Sequence, residues 1–77
     1  MILMTIQRLL AEMLEIDPEE ITPETDLEED LDMDSLDGTE LLLALEEEFD
    51  LEIDEDTARG FRTVGDIIDY VSEKTED

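Results

Sequence analysis

The stretch from Ser35 to Phe49 reads SLDGTELLLALEEEF and carries the strongest helical pattern in the chain. Its apolar residues Leu41, Leu45 and Phe49 recur at every fourth position, so this stripe of the helix is expected to face a core. Asp34, directly before the stretch, is a favourable N-cap because its side chain can accept a hydrogen bond from the first turn. The stretch therefore predicts a long helix with one buried face.

Upstream of this helix, a second helical pattern is followed by a long polar connection. The pattern runs from about Ile2 to Leu14, with Ile2, Ile6, Leu9, Leu10 and Met13 on one face. Asp17-Pro18 then interrupts it, since the residue before proline avoids helical angles, and the pair suits a cap followed by proline at a first helical position. About twenty structureless residues are unusual in so small a domain, so the segment from Ile16 to Asp34 is expected to be pinned by its apolar residues. These are Ile16, Ile21, Leu27 and Leu31.

Downstream, the chain has room for one short helix and one longer helix. Asp56 to Gly60 allows only one or two turns, and the last helix is expected to begin at Thr63 as N-cap, with Asp66 three residues on. The residues expected to point inward from it are Val64, Ile67, Ile68 and Val71. The predicted fold is all-α: residues 1–77 form one domain, a small bundle of three main helices and one short helix.

The composition excludes several classes of function. Among 77 residues, 27 are Asp or Glu and 4 are Lys or Arg, so the formal net charge is −23, and there is no His or Cys. A catalytic triad, a thiolate nucleophile, a disulfide scaffold and an ordinary zinc site are thereby excluded. The charge disfavours nucleic acid and anionic membranes, and favours basic partners or cations. Apolar residues make up 40% of the chain and are periodic, which indicates a folded protein, and without an apolar run of membrane-spanning length we expect it in the cytoplasm.

The acidic residues do not form a specific metal motif. Asp30, Asp32 and Asp34 match the first three positions of a calcium loop, but Ser35 stands where glycine is needed and Leu41 where glutamate is needed. We therefore expect no specific metal site. Carboxylate pairs are unavoidable at this density, so they do not indicate acid–base catalysis.

Ser35 is the residue best placed for chemistry. It lies where the acidic connection meets the best helix, so we expect its hydroxyl to be exposed beside unpaired backbone N–H groups. On position alone, a capping role is the commoner interpretation. It is not a self-activated nucleophile, because no histidine is present to activate it. A phosphodiester on Ser35 would be stabilised by the helix N-terminus, which makes Ser35 a substrate for another enzyme.

The residues around Ser35 resemble the acyl carrier proteins. The similarity rests on Asp34-Ser35-Leu36, on the acidic, leucine-rich helix that ends in EEEF, and on the later stretches Thr63-Val64-Gly65-Asp66 and Asp69-Tyr70-Val71. The resemblance implies that a transferase attaches 4′-phosphopantetheine from coenzyme A to Ser35. It also implies a monomeric carrier, not an enzyme, that holds acyl groups as thioesters. Its expected partners are that transferase and the basic-surfaced synthases, reductases and acyltransferases of fatty-acid or polyketide-type biosynthesis.

The resemblance also assigns roles to two further sets of residues. The expected partner-docking residues are Asp34, Leu36, Asp37, Thr39, Glu40, Leu43, Glu46 and Glu47. The residues expected to shelter an acyl chain are Leu41, Leu45, Phe49, Ile53, Val64 and Ile68. Without the resemblance, the first set is an ordinary surface and the second an ordinary core.

Three departures from the family pattern leave the pathway open. Asp32 stands where the family often has glycine, which matters if the backbone there needs a positive φ. Thr39 replaces a usually apolar residue, and Gly38 costs roughly 1 kcal/mol of helix stability relative to alanine. Two alternatives also remain. One is a carrier of the same fold for another cargo, such as an amino acid. Such carriers usually have Gly-Gly before the serine, and the Met33-Asp34 found here argues against this alternative. The other is an acidic binding protein, either a cation buffer or a nucleic-acid mimic.

Overall fold

Helices account for the regular structure of residues 2–75, the part of the chain that the computed structural model describes. Met1 and residues 76–77, which the single-domain prediction also includes, lie outside the described residues. The α-helices are α1 (Ile2–Leu14), α2 (Ser35–Phe49), α3 (Glu55–Arg59) and α4 (Val64–Thr75), and a 3-10 helix spans Pro18–Glu20. The all-α prediction is confirmed, with α3 beginning one residue earlier than expected.

The core is formed where α1, α2 and α4 pack together with the connecting loops. Its buried residues are Ile6, Leu10, Ile21, Leu27, Leu41, Leu45, Ile53, Val64, Ile67 and Val71. Phe49 and Ile68, predicted to point inward, are only half-buried, because they pack against the outside of this cluster, Phe49 at the last residue of α2. The apolar faces of α1, α2 and α4 thus meet at one centre, as their periodicity predicts.

The long connection between α1 and α2 is fastened to the loop that precedes α4. Leu27 N donates to the Arg62 carbonyl at 2.9 Å, and Val64 N donates to the Thr25 carbonyl at 3.0 Å. Gly65 N donates to the Pro23 carbonyl at 2.8 Å, and a Cβ on Gly65 would lie only 3.0 Å from that same oxygen. A side chain at this position would crowd the Pro23 carbonyl, so glycine suits the close approach of the two segments.

Asp26 organises the middle of this connection. Its carboxylate accepts hydrogen bonds from the backbone N–H groups of Glu28 and Glu29 at 3.0 and 2.9 Å, and from Arg62 Nε at 3.2 Å. These donors, the Glu29 N–H most of all, hold the pKa of Asp26 below its usual value. The connection is thus pinned by a charged side chain in addition to the expected apolar residues Ile21 and Leu27.

Side-chain caps mark the start of the 3-10 helix and the start of α4. Asp17 Oδ1 accepts from Glu19 N at 2.9 Å, which confirms the predicted cap before Pro18. At the start of α4, Asp66 Oδ2 accepts from Thr63 N at 3.1 Å, while Thr63 Oγ1 accepts from Asp66 N at 3.2 Å. This reciprocal pair confirms the predicted start of the last helix.

Candidate functional site

Ser35 is the first residue of α2, and Asp34 is its cap. Asp34 Oδ1 accepts from Asp37 N at 2.9 Å, and Asp37 Oδ2 accepts from Asp34 N at 3.3 Å, so the two aspartates form a capping box. The side chain of Ser35 is exposed, and no described residue hydrogen-bonds its hydroxyl. The capping interpretation of Ser35 is therefore wrong, because Asp34 already fills that position.

The backbone before Ser35 is shaped by a residue in the left-handed region. Asp32 has φ 55°, so this turn adopts the conformation that the sequence pattern raised as a possibility. Asp32 N donates to the Glu28 carbonyl at 3.0 Å, and Met33 N donates to the Leu27 carbonyl at 3.1 Å. The turn directs the chain from the fastened connection into the start of α2.

An open cavity of about 720 Å³ lies beside Ser35, between α2, α3 and the connection. The buried residues in its lining form an apolar floor: Leu27, Leu41 and Leu45. Half-buried Met33, Leu42, Ala58 and Phe61 form its walls. The exposed rim consists of Glu28, Asp34, Ser35, Gly38, Thr39, Glu55 and Arg59.

The lining differs from the predicted sheltering residues. Of the six, only Leu41 and Leu45 line the cavity. The sequence interpretation missed Ala58 and Phe61 because α3 and the loop after it are too short to show periodicity. The apolar character of Phe61, one of two phenylalanines in the chain, is the one signal that could have drawn attention to it.

Five of the predicted docking residues form a continuous exposed stripe on α2. Leu36 and Leu43 are 67% and 58% exposed, so both apolar side chains face solvent. Exposed Thr39, Glu40 and Glu47 lie between and beside them at helical spacing. We call Leu36, Thr39, Glu40, Leu43 and Glu47 the α2 stripe.

The other three predicted docking residues are carboxylates that accept hydrogen bonds from backbone N–H groups. Asp34 and Asp37 form the capping box, and Glu46 Oε2 accepts from the backbone N–H of Ile53 at 2.8 Å. That bond ties the loop after α2 back onto the helix. Glu46 is therefore half-buried and less available to a partner than Glu40 or Glu47.

The basic residues do not reach the α2 stripe. Arg8 pairs with Glu48 at 3.0 Å, and Arg62 pairs with Asp26 and Glu29. Arg59 pairs within its own helix, with Asp56 at 3.0 Å and with Glu55 at 3.6 Å. Lys74 lies 5.5 Å from the centre of the Tyr70 ring. All charges on the stripe are therefore negative. Within residues 2–75, no group of three acidic side chains converges as a metal site would require, and no helix is long and apolar enough to cross a membrane.

Comparisons with known proteins agree on one family. The family model described as "Phosphopantetheine attachment site" matches residues 5–71. An acyl carrier protein of Clostridium perfringens strain 13 is 45% identical over 71 residues, which cover 92% of this chain and 93% of that protein. An acyl carrier protein of Caulobacter vibrioides is 45% identical over 74 residues, with coverage of 96% and 95%.

Solved structures give the same result. The acyl carrier protein of Enterococcus faecalis superposes with a TM-score of 0.80 at 29% identity, covering 94% of this chain and 91% of that one. A proposed acyl carrier protein of Mycobacterium tuberculosis superposes with a TM-score of 0.89 at 32% identity, with coverage of 96% and 99%. The similarity therefore extends over nearly the whole fold.

Proposed function

This chain belongs to the acyl carrier protein family, and we propose that Ser35 is the residue that bears its phosphopantetheine arm. As a member of this family it is a non-enzymatic carrier, and its cofactor is covalently attached 4′-phosphopantetheine. The arm ends in a thiol that holds acyl groups as thioesters, which supplies the sulfur that a chain without cysteine lacks. The cargo that we propose is an acyl intermediate of fatty-acid or polyketide-type biosynthesis.

The observation that carries this assignment is the position of the Ser35 hydroxyl. It is exposed and without a hydrogen bond to any described residue, so a transferase can reach it. Because Asp34 caps the helix through Asp37 N, the N–H groups of Ser35 and Leu36 remain available at the positive end of the helix dipole. A phosphodiester on Ser35 fits this end of α2, and the apolar floor of the adjacent cavity fits an apolar cargo.

Modification can be tested by intact mass, with a matched control. The purified protein is incubated with coenzyme A and a broad-specificity phosphopantetheinyl transferase, and we expect its mass to increase by one phosphopantetheine group. Ser35→Ala should show no increase. Ser72→Ala, which alters the only other serine, should gain the same mass as the wild type. An unmodified wild type, or a modified Ser35→Ala, would contradict the assignment.

We further propose that the α2 stripe docks on basic surfaces of the transferase and of the synthases, reductases and acyltransferases that use the cargo. Two exposed leucines between carboxylates provide apolar contact within a negative field. Long-range attraction then speeds encounter, while the small contact area keeps affinity modest. Such a balance suits a carrier that must leave each enzyme.

Charge reversal on the stripe tests docking separately from attachment. Glu40→Lys with Glu47→Lys is compared with Glu20→Lys and Glu73→Lys, which make the same charge change at exposed positions outside the stripe. Glu46 is left unchanged because its bond to Ile53 N supports the fold. The measurement is kcat/KM for Ser35 modification as a function of salt concentration.

At low salt, we expect the stripe variant to lose at least tenfold in kcat/KM, and the control pair to lose less than threefold. The difference should shrink as salt screens the charges. Equal losses in the two variants would show that net charge, and not the α2 stripe, governs encounter.

A further inference from the structure

Gly38 has no structural reason to be glycine. It lies one turn into α2, and it is not among the residues with a positive φ. A Cβ built on Gly38 would meet nothing within 4 Å, whereas one on Gly65 would lie 3.0 Å from the Pro23 carbonyl oxygen. Glycine within a helix lowers stability relative to alanine. Fold requirements therefore explain Gly65 and leave Gly38 unexplained.

Gly38 is one of the residues that line the cavity beside Ser35. Gly38 and Ser35 are three residues apart on α2, and both stand on the exposed part of the cavity lining. Ala58, another small residue of the lining, contributes to the wall from α3. The buried floor at Leu41 and Leu45 lies deeper in the same cavity. Gly38 lies between Ser35 and Leu41 along the part of α2 that lines the cavity, so a side chain there would stand beside the path from Ser35 to this floor.

We propose that Gly38 is a specificity-determining position that keeps the passage from Ser35 to the apolar floor wide enough for acyl groups with a branch or a ring. The inference rests on the proposed attachment at Ser35. A straight chain is narrow and does not need the space that the missing side chain leaves. A bulky acyl group does need it, so its shelter depends more strongly on glycine at this position.

The test uses two substitutions that differ in bulk but share a helix preference. Alanine and leucine are both good helix formers, so Gly38→Ala and Gly38→Leu should both stabilise the unmodified protein. Each variant and the wild type are loaded by the transferase with a phosphopantetheine, octanoyl-phosphopantetheine or cyclohexylacetyl-phosphopantetheine arm. The measurement is the change in Tm that the acyl group adds relative to the same protein with a free thiol.

In the wild type, both acyl groups should raise Tm. In Gly38→Leu, the Tm increase from the cyclohexylacetyl group should be at most half of that in the wild type. The Tm increase from the octanoyl group should be reduced less. Gly38→Ala should give values between those of the wild type and Gly38→Leu. The same increases in Gly38→Leu and the wild type would overturn the proposal. So would a wild type in which neither acyl group changes Tm.

A failure of attachment is distinguished by titrating unmodified protein with the free thioesters of N-acetylcysteamine. This measurement reports the cavity without any arm on Ser35. Methyl NMR shifts at Leu41 and Leu45 should respond to the cyclohexylacetyl thioester in the wild type and much less in Gly38→Leu. Equal shifts in the two proteins, or none in the wild type, would overturn the role of Gly38 whether or not Ser35 accepts the arm.

Discussion

Replacing Asp34 by alanine removes the side chain that closes the first turn of α2. Two hydrogen bonds are lost together, from Asp37 N to Asp34 Oδ1 at 2.9 Å and, through loosening of the turn, from Asp34 N to Asp37 Oδ2 at 3.3 Å. Asparagine at this position keeps a side-chain oxygen acceptor but removes the negative charge. The two variants therefore separate the capping hydrogen bond from the electrostatic effect of the charge.

The free energies of unfolding of Asp34→Ala and Asp34→Asn should differ by about the contribution of one N-cap hydrogen bond. Loss of a capping side chain to alanine costs about 1 kcal/mol, within a range of roughly 0.5–2 kcal/mol. For Asp34→Asn, the lost attraction to the helix dipole is roughly 0.3–1 kcal/mol, and relief of repulsion from Asp32, Asp37 and the other carboxylates offsets it. A change of about 1 kcal/mol shifts Tm by roughly 4–8 °C in a domain of this size. We therefore expect Asp34→Ala to melt several degrees below both the wild type and Asp34→Asn.

The assay is thermal and urea unfolding followed by circular dichroism at low and at moderate salt. The difference between the two variants should persist at both salt concentrations, because a local hydrogen bond is screened little. If Asp34→Ala is as stable as Asp34→Asn, the capping box does not stabilise α2. If the difference disappears with added salt, the effect of Asp34 is one of charge.

Three further predictions concern the excess of negative charge. Added salt should raise Tm, because it screens the repulsion between carboxylates. At about 0.01 M salt the Debye length of about 30 Å exceeds the 28 Å longest dimension of the domain, whereas at 0.1 M it is about 10 Å. An unchanged Tm would contradict this. Urea unfolding at constant salt should show stability that falls as the pH drops below about 4, because Asp26 and Asp66 have lowered pKa values in the fold. Their stabilising effect is present above the pKa of an unfolded aspartate and is lost as they are protonated; stability that does not decrease on acidification would contradict this. Asp50→Asn should raise the free energy of unfolding by roughly 0.3–1 kcal/mol, because it removes a negative charge from the C-terminus of α2. Asparagine also tolerates the φ of 55° at this position. A lower free energy of unfolding in urea would contradict this.

The helices and their starts were predictable because both depend on neighbours within four residues. The apolar stripe of α2 and the cap at Asp34 can be read from adjacent positions, and so can the pair formed by Thr63 and Asp66. The positive φ at Asp32 was also raised by the pattern, from the departure at a position that often holds glycine. Local rules of this kind need no knowledge of the tertiary fold.

The structural roles that the sequence did not predict depend on residues farther apart in the chain. Asp26 reaches Arg62 across 36 residues, and Glu46 reaches the backbone of Ile53 across seven. With 27 acidic residues in the chain, nothing in the local sequence distinguishes these two from carboxylates that are only solvated. The cavity wall at Phe61 likewise exists only because the loop after α3 faces the same cavity as α2, and it cannot be derived from either segment alone.

The charge of −23 is also distributed unevenly, which bears on how the domain would meet a basic partner. Residues 1–14 contain one basic residue, Arg8, and one acidic residue, Glu12, so the whole formal net charge resides in the rest of the chain. Arg8 is in turn paired with Glu48 of α2. An approaching basic surface is therefore attracted to the other segments more strongly than to α1. Attraction alone does not select the α2 stripe among those segments, because they are acidic throughout. In the docking that we propose, the exposed Leu36 and Leu43 would provide that selection, since apolar contact acts only at short range and follows encounter.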